Sequence, residues 1–76
     1  MFTFTDQERA HQTEMRGIGT DSLGREVLVG LTFEETDFYM HHVRAFAAGH
    51  RDREARKRYL DLHHKHELVR LAIPRR

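Results

Sequence analysis

Apolar residues in the second half of the chain recur with the spacing of two amphipathic helices. Thr32 and Glu35 stand at capping-box spacing, which predicts that the first of these helices begins there. Its apolar face recurs every third or fourth residue, and Gly49 can take the left-handed conformation that ends a helix. That face is formed by Phe38, Tyr39, His42, Val43 and Phe46.

A second helix is predicted after a linker of residues 49–51, with Asp52 as its N-cap and Pro74 as its end. Its seam steps by four and three residues, the spacing that packs against a neighbouring helix. The seam consists of Ala55, Tyr59, Leu62, His66, Val69 and Ile73. Because the linker is so short, residues 32–73 are predicted to form an antiparallel helical hairpin.

The first half of the chain has weaker patterns. Residues 15–31 combine alternating apolar positions with turn residues, which predicts a β-hairpin whose type I turn runs from Asp21 to Gly24. Residues 1–14 contain a possible capping box, Thr5 with Glu8, but little apolar content. We expect there a short helix or a flexible or partner-ordered tail. The prediction is one mainly α (α+β) domain over residues 1–76.

A surplus apolar stripe lies on the far side of the second predicted helix from its seam. On a helical wheel, Leu60, Leu68 and Leu71 lie roughly opposite the seam, with His64 between them. One partner helix cannot cover both faces of this helix. The stripe therefore predicts either cover by the N-terminal half or a homo-oligomer, most simply a dimer. Phe2 and Phe4, in the otherwise polar tail, are a candidate docking segment for this stripe or for a larger protein partner.

Composition narrows the class of protein. Seventy-six residues can bury only a small core, and the absence of cysteine excludes disulfides and thiolate zinc sites. Thirteen basic and twelve acidic residues give a net charge of +1, so no overall field favours nucleic acid or an anionic membrane. No apolar run is long enough for a membrane span, and no signal peptide is visible. We expect a cytoplasmic protein.

Histidines offer the first candidate chemistry. If the helical hairpin is symmetric about its linker, residues whose numbers sum to about 101 face each other, so Glu35 approaches His66 and Phe38 approaches His63. Glu35, His63 and His66 would then supply oxygen and nitrogen ligands for a transition metal such as Zn²⁺. The plainer alternative is a Glu35–His66 hydrogen bond and a bond from His42 to the Tyr59 hydroxyl. No recognised ligand spacing supports the metal, so we favour the alternative.

A basic run opens the second helix, and it could contact a phosphate backbone or an acidic protein. Its five basic residues are Arg51, Arg53, Arg56, Lys57 and Arg58. Two acidic residues interrupt it, and Glu54–Arg58 and Asp61–Lys65 have favourable i,i+4 spacing. We therefore favour a solvated, internally paired helix start, and we do not expect nucleic acid as the partner.

Catalysis has no sequence support. There is no cysteine, the single serine lies in a predicted turn, and the glycines fit no phosphate-binding or dinucleotide pattern. We expect neither an enzyme nor a cofactor. The leading interpretation is a small interaction module that self-associates through its helical hairpin, followed by a metal-binding protein and a nucleic-acid accessory protein.

Overall fold

The computed structural model describes residues 3–72, which form five elements. These are α1 (Asp6–Glu14), β1 (Ile18–Thr20), β2 (Glu26–Leu28), α2 (Phe33–Ala47) and α3 (Arg53–Ala72). The two strands pair antiparallel with Ile18 opposite Leu28, and α2 packs against both β2 and α3. The prediction of a mainly α fold with a short β-hairpin followed by an antiparallel helical hairpin is confirmed.

Local capping signals set the ends of the helical hairpin as predicted. At the start of α2, the Thr32 hydroxyl accepts from the Glu35 amide at 3.1 Å, and the Glu35 carboxylate accepts from the Thr32 amide at 2.9 Å. Its C-terminus is a Schellman motif around Gly49, whose φ is +92°. Asp52 caps α3 by accepting from the Ala55 amide at 3.1 Å. The predicted end of α3 at Pro74 and its seam residue Ile73 lie outside the described residues.

The core lies where the two hairpins meet. Its six buried residues come from the N-terminal segment, β2 and the turn after it, α2 and α3, and five further side chains pack against them. The six are Phe4, Leu28, Leu31, Tyr39, Met40 and Leu62. Those five are Ile18, Phe33, Phe38, Val43 and Tyr59. Phe46, which the sequence pattern assigned to the inward face of α2, is instead exposed, next to the linker that joins α2 to α3.

The N-terminal segment forms the short helix, one of the two states expected for it. Thr5 and Glu8 form the capping box, although α1 buries no side chain. The segment is held by Phe4 in the core and by ion pairs at both sides of α1. Arg44 of α2 donates to Glu8 at 2.6 and 2.9 Å, and Arg9 donates to Glu26 of β2.

Phe4 was proposed as a docking residue for the surplus stripe or for a partner, and that role is corrected here. Its side chain is only 6% exposed because it fills the chain's own core. It is therefore neither on the stripe nor available to a partner. Phe2 lies outside the described residues.

Side chains of both long helices form hydrogen bonds with backbone groups of β2 and of Val29, the residue that follows it. The Leu28 amide points away from β1 and donates to the Thr36 hydroxyl at 3.1 Å. The Val29 amide still bonds to Gly17, but the Gly17 amide bonds to Gln12, so the Val29 carbonyl is left over. His66 Nδ1 donates to that carbonyl at 2.7 Å. Because both side chains are buried, they satisfy backbone groups that water cannot reach.

The turn between β2 and α2 depends on a glycine. Gly30 has a φ of +83°, and the Leu31 amide donates back to the Leu28 carbonyl at 3.0 Å. A Cβ at Gly30 would lie 2.7 Å from Cγ2 of Val69. Gly24, in the hairpin turn, has a similar φ of +77° but has nothing within 4 Å of such a Cβ. A substitution at Gly24 therefore adds backbone strain alone, whereas a substitution at Gly30 adds backbone strain and a steric conflict.

Replacing Thr36 with Val should lower the free energy of unfolding by about 1–3 kcal/mol, because the buried Leu28 amide loses its acceptor while side-chain volume is kept. Thr36→Ser retains the hydroxyl and is the matched control for hydrogen bonding. Urea unfolding followed by circular dichroism measures both. A Val variant as stable as wild type, beside a destabilised Ser variant, would show that methyl packing, and not the hydrogen bond, makes Thr36 important.

Gly24→Ala should cost about 1 kcal/mol from the positive φ alone. Gly30→Ala should cost about 1–3 kcal/mol more, because it also drives Val69 out of position. Truncating Val69 to Ala in the Gly30→Ala background should recover part of that excess in urea unfolding. If the two single variants are equally stable, the close approach of Val69 to Gly30 does not hold in solution.

The Arg44–Glu8 pair should make the attachment of α1 depend on pH. Hydrogen bonding from Arg44 lowers the pKa of Glu8 from 4.5 to about 2, so its contribution is complete above about pH 4.5 and is lost as pH falls through about 2. Glu8→Gln keeps a capping-box residue but removes the charge, and it should cost about 1 kcal/mol at pH 7. The stability difference between wild type and Glu8→Gln should shrink between pH 4.5 and 2.

The control for Glu8 is Glu34→Gln, which removes an exposed carboxylate from the first turn of α2, where it has no ion pair within residues 3–72. That variant should change stability by a few tenths of a kcal/mol at most. A Glu8→Gln penalty that stays constant from pH 7 to pH 2 would contradict the assignment of the effect to the Glu8 charge.

Candidate functional site

The three residues of the predicted metal set have different partners. Glu35 completes the α2 capping box and accepts from Lys65 Nζ at 3.0 Å, while His66 Nδ1 donates to the Val29 carbonyl. His63 Nδ1 is hydrogen-bonded to the Tyr39 hydroxyl at 2.9 Å. Within residues 3–72, no group of three His, Cys, Asp or Glu residues is arranged to hold a metal ion. The Glu35–His66 contact predicted for both the metal site and its alternative is not formed.

The register of α2 against α3 is close to the predicted one, since the residue numbers of the contacting pairs sum to 100, 101 and 102, and what differs is which neighbouring side chain makes each contact. His42 faces Tyr59 as predicted, with ring centroids 4.6 Å apart, but the two rings stack and no hydrogen bond joins them. Towards the β-hairpin, Tyr39 takes the place predicted for Phe38 opposite His63, and Lys65 takes the place of His66 opposite Glu35. His66 is thereby directed at β2, where its exposed fraction is 2%.

A ladder of aromatic rings follows from this register. Tyr39 lies 4.7 Å from Tyr59, which in turn stacks on His42. Burial raises the pKa of the Tyr39 hydroxyl well above its usual value, so the group stays protonated over the physiological range. The ladder therefore joins the two helices through ring contacts, with the Tyr39 hydroxyl protonated.

The described part of the N-terminal half, residues 3–31, leaves the surplus stripe predicted on α3 exposed. Leu60 is 47% exposed, Leu68 61% and Leu71 62%, and His64 between them is exposed too. We call these four residues the outer face of α3. Leu68 and Leu71 are one turn apart, so they form a continuous apolar end of that face.

The basic run at the start of α3 lacks the internal pairing expected for it. Lys65 pairs with Glu35 and not with Asp61, while Arg58 lies 4.5 Å over the Phe38 ring and is not paired with Glu54. None of the five basic residues of the run forms an ion pair within residues 3–72. In contrast, each of Arg9, Arg25, Arg44, Lys65 and Arg70 has a carboxylate partner. The five basic residues are exposed, as expected for a solvated helix start, but the internal ion pairs expected with it are not formed within residues 3–72.

Aromatic rings take the place of carboxylates in this region. Arg51 lies 4.0 Å over the Phe46 ring and Arg56 lies 5.5 Å from the same ring. The Arg51 Nη1 atom also donates to the carbonyls of Phe46 and His50 at the end of α2. Sequence reasoning missed Phe46 as a surface residue because its spacing fits the inward stripe of α2. The nearby Gly49 was the available signal, because it marks the end of α2 and thus the end of its inward stripe.

Three shallow grooves surround His42 at this end of the helical hairpin. One of about 310 Å³ lies between the helices, and its lining includes His41, His50 and Asp52. A second of about 280 Å³ is lined by His42, Val43, Phe46, Arg56 and Tyr59. The third, of about 380 Å³, is bounded by Phe46 together with Arg51, Arg53 and Arg56. The second and third grooves combine aromatic rings with arginines that form no ion pair within residues 3–72, and Asp52 also lines the third.

Comparison with known protein families, curated proteins and solved structures finds no match to this chain. No helix among residues 3–72 is long and apolar enough to cross a membrane. The cytoplasmic location expected from the sequence stays a prediction. Two surfaces therefore stand out on the chain's own geometry, namely the outer face of α3 and the basic end of the helical hairpin.

Proposed function

We propose that this protein is a small, non-enzymatic interaction module that self-associates as a two-fold dimer through the outer face of α3. The observation that carries the proposal is the exposure of Leu60, Leu68 and Leu71 on one side of a helix whose other side is packed. The same helix buries Leu62 and His66, so it is held in place by the core and presents this face as a preformed surface.

A dimer also fits the size of the exposed surface. The chain exposes 5643 Å², whereas a monomeric protein of 9.1 kDa exposes about 4900 Å² by the usual scaling with mass. The excess is close to the roughly 800 Å² that each partner contributes to a standard interface. A chain with a small core has most to gain from burying this surface against a second copy.

The leucine spacing suits pairing with an identical helix. If two α3 helices pack antiparallel with the symmetry axis at His64, Leu60 of one subunit lies against the partner subunit's Leu68, and the reverse contact is identical. This self-complementarity is what a closed dimer requires, and no second kind of surface is needed. A larger protein partner would have to supply an apolar groove of its own.

The proposal predicts a particle of about 18 kDa in size-exclusion chromatography with light scattering at micromolar concentration. A double variant, Leu60→Lys with Leu68→Lys, should elute at about 9 kDa, because both side chains are exposed in one chain but buried in the dimer. The helical signal in the circular dichroism spectrum of the double variant should match that of the wild type, at a concentration where the fold is intact.

Leu23→Lys is the matched control for an exposed leucine. Leu23 lies in the β-hairpin turn and is 74% exposed, more than either α3 leucine, so its replacement should leave the dimer unchanged. A wild-type chain that stays monomeric at 100 μM and above would overturn the proposed function. Dissociation by Leu23→Lys as readily as by the α3 variant would overturn the assigned interface.

A further inference from the structure

The second surface is the basic end of the helical hairpin, defined by Arg51, Arg53, Arg56, Lys57 and Arg58. Asp52, the α3 N-cap, and Glu54 reduce the net charge of residues 51–58 to +3, five basic against two acidic, but neither carboxylate forms an ion pair with the basic residues within residues 3–72. Elsewhere in the described chain, long-range pairing neutralises Arg9, Arg44 and Lys65. An unpaired set of five cations within eight residues is the electrostatic footprint of a polyanion partner.

Stacking on aromatic rings fixes the planes of the arginines and leaves their edges free. Arg56 and Arg58 lie over Phe46 and Phe38, and neither guanidinium makes a hydrogen bond within residues 3–72. The in-plane N–H groups of such a guanidinium match two oxygens of one phosphate. Arg51 is held more firmly, by its bonds to two backbone carbonyls and by its position 4.0 Å over the Phe46 ring.

The aromatic rings beside the basic residues indicate which kind of polyanion fits this surface. The 280 Å³ and 380 Å³ grooves place His42, Phe46 and Arg56 together, so an unpaired base could stack where its phosphate meets an arginine. A duplex hides its base faces, and the basic residues spread around α3 and do not line one edge that could enter a groove. An acidic peptide would use the charge but has no need of the stacking surface.

We propose that the basic end of the helical hairpin binds single-stranded nucleic acid, with phosphates on the arginines and Lys57 and a base stacked at Phe46 and Arg51. On a helical wheel, Arg53 and Lys57 fall on the same side of α3 as Leu60, so the basic end adjoins the outer face of α3. Oligonucleotide binding and oligomeric state are measured separately, so either proposal can fail alone.

Fluorescence anisotropy with labelled dT20 and U20 oligonucleotides tests the proposal on the full-length chain. Five phosphate contacts to a single strand predict a slope of log K against log salt of about −3.5, or about 100-fold weaker binding between 50 and 200 mM NaCl. The triple variant Arg53→Ala, Arg56→Ala, Lys57→Ala should reduce the slope to about −1.4. A 20-bp duplex should compete more weakly than either single strand.

Two further variants separate this site from general charge. Gln7→Glu, Ser22→Glu and Leu23→Glu together change the net charge by the same three units at exposed positions outside the basic end, and they should leave the slope unchanged. Arg51→Lys keeps the charge but removes the planar group, so binding should weaken at least about fivefold with the slope unchanged.

Several outcomes would overturn the proposal. One is no binding of either oligonucleotide at 50 mM NaCl, and another is equal losses in the triple variant and its charge-matched control. Tighter binding of the duplex would exclude a single-strand site. Polyglutamate that binds as tightly as the oligonucleotides would assign the basic end to an acidic protein partner instead.

Discussion

Two backbone groups that the β1–β2 ladder leaves unpaired are the constraint on which the arrangement of this chain depends. The Leu28 amide lies on the free side of β2, whereas the Val29 carbonyl lies on the β1 side, where the Gly17 amide has turned to Gln12. Thr36 of α2 accepts from the Leu28 amide and His66 of α3 donates to the Val29 carbonyl, so each long helix is fixed to the β-hairpin by one hydrogen bond. Buried polar contacts of this kind specify a unique packing more strongly than apolar contacts, because displacing either helix leaves an unpaired backbone group.

This constraint explains why the histidines do not form a metal site. With His66 committed to Val29, and Gly17 packed against its imidazole ring, Glu35 turns to Lys65 and His63 turns to Tyr39. The seam of α3 was recognisable from its spacing, and so was the contact of His42 with Tyr59. What the spacing could not reveal is that one seam residue serves the sheet, because that demand arises from a carbonyl that only the folded hairpin leaves over.

Local signals predicted the fold well where a few neighbouring residues decide the outcome. The capping boxes at Thr5 and Thr32, the Asp52 cap and the glycine at position 49 all act within one helical turn, and each is present. The side-chain pairing was predicted less well, because i,i+4 attraction is worth only a few tenths of a kcal/mol. Contacts between elements override it: Lys65 was predicted to pair with Asp61, but it pairs with Glu35 on the neighbouring helix. The exposure of Phe46 likewise depends on a contact between elements, since it lies at the end of α2 where the linker to α3 begins.

The same hierarchy accounts for where unsatisfied surface collects. Ion pairs that hold α1, β2 and the middle of the helical hairpin draw carboxylates such as Glu8, Glu26 and Glu35 towards the sheet end of the molecule. At the start of α3, Glu54 forms no ion pair within residues 3–72, and Arg51, Arg56 and Arg58 lie over aromatic rings, which hold a guanidinium without cancelling its charge. The leucines of α3 are left over for a different reason, since the small sheet can cover only one side of a 20-residue helix. Both candidate surfaces thus lie largely on α3, a long helix that buries only Leu62 and His66.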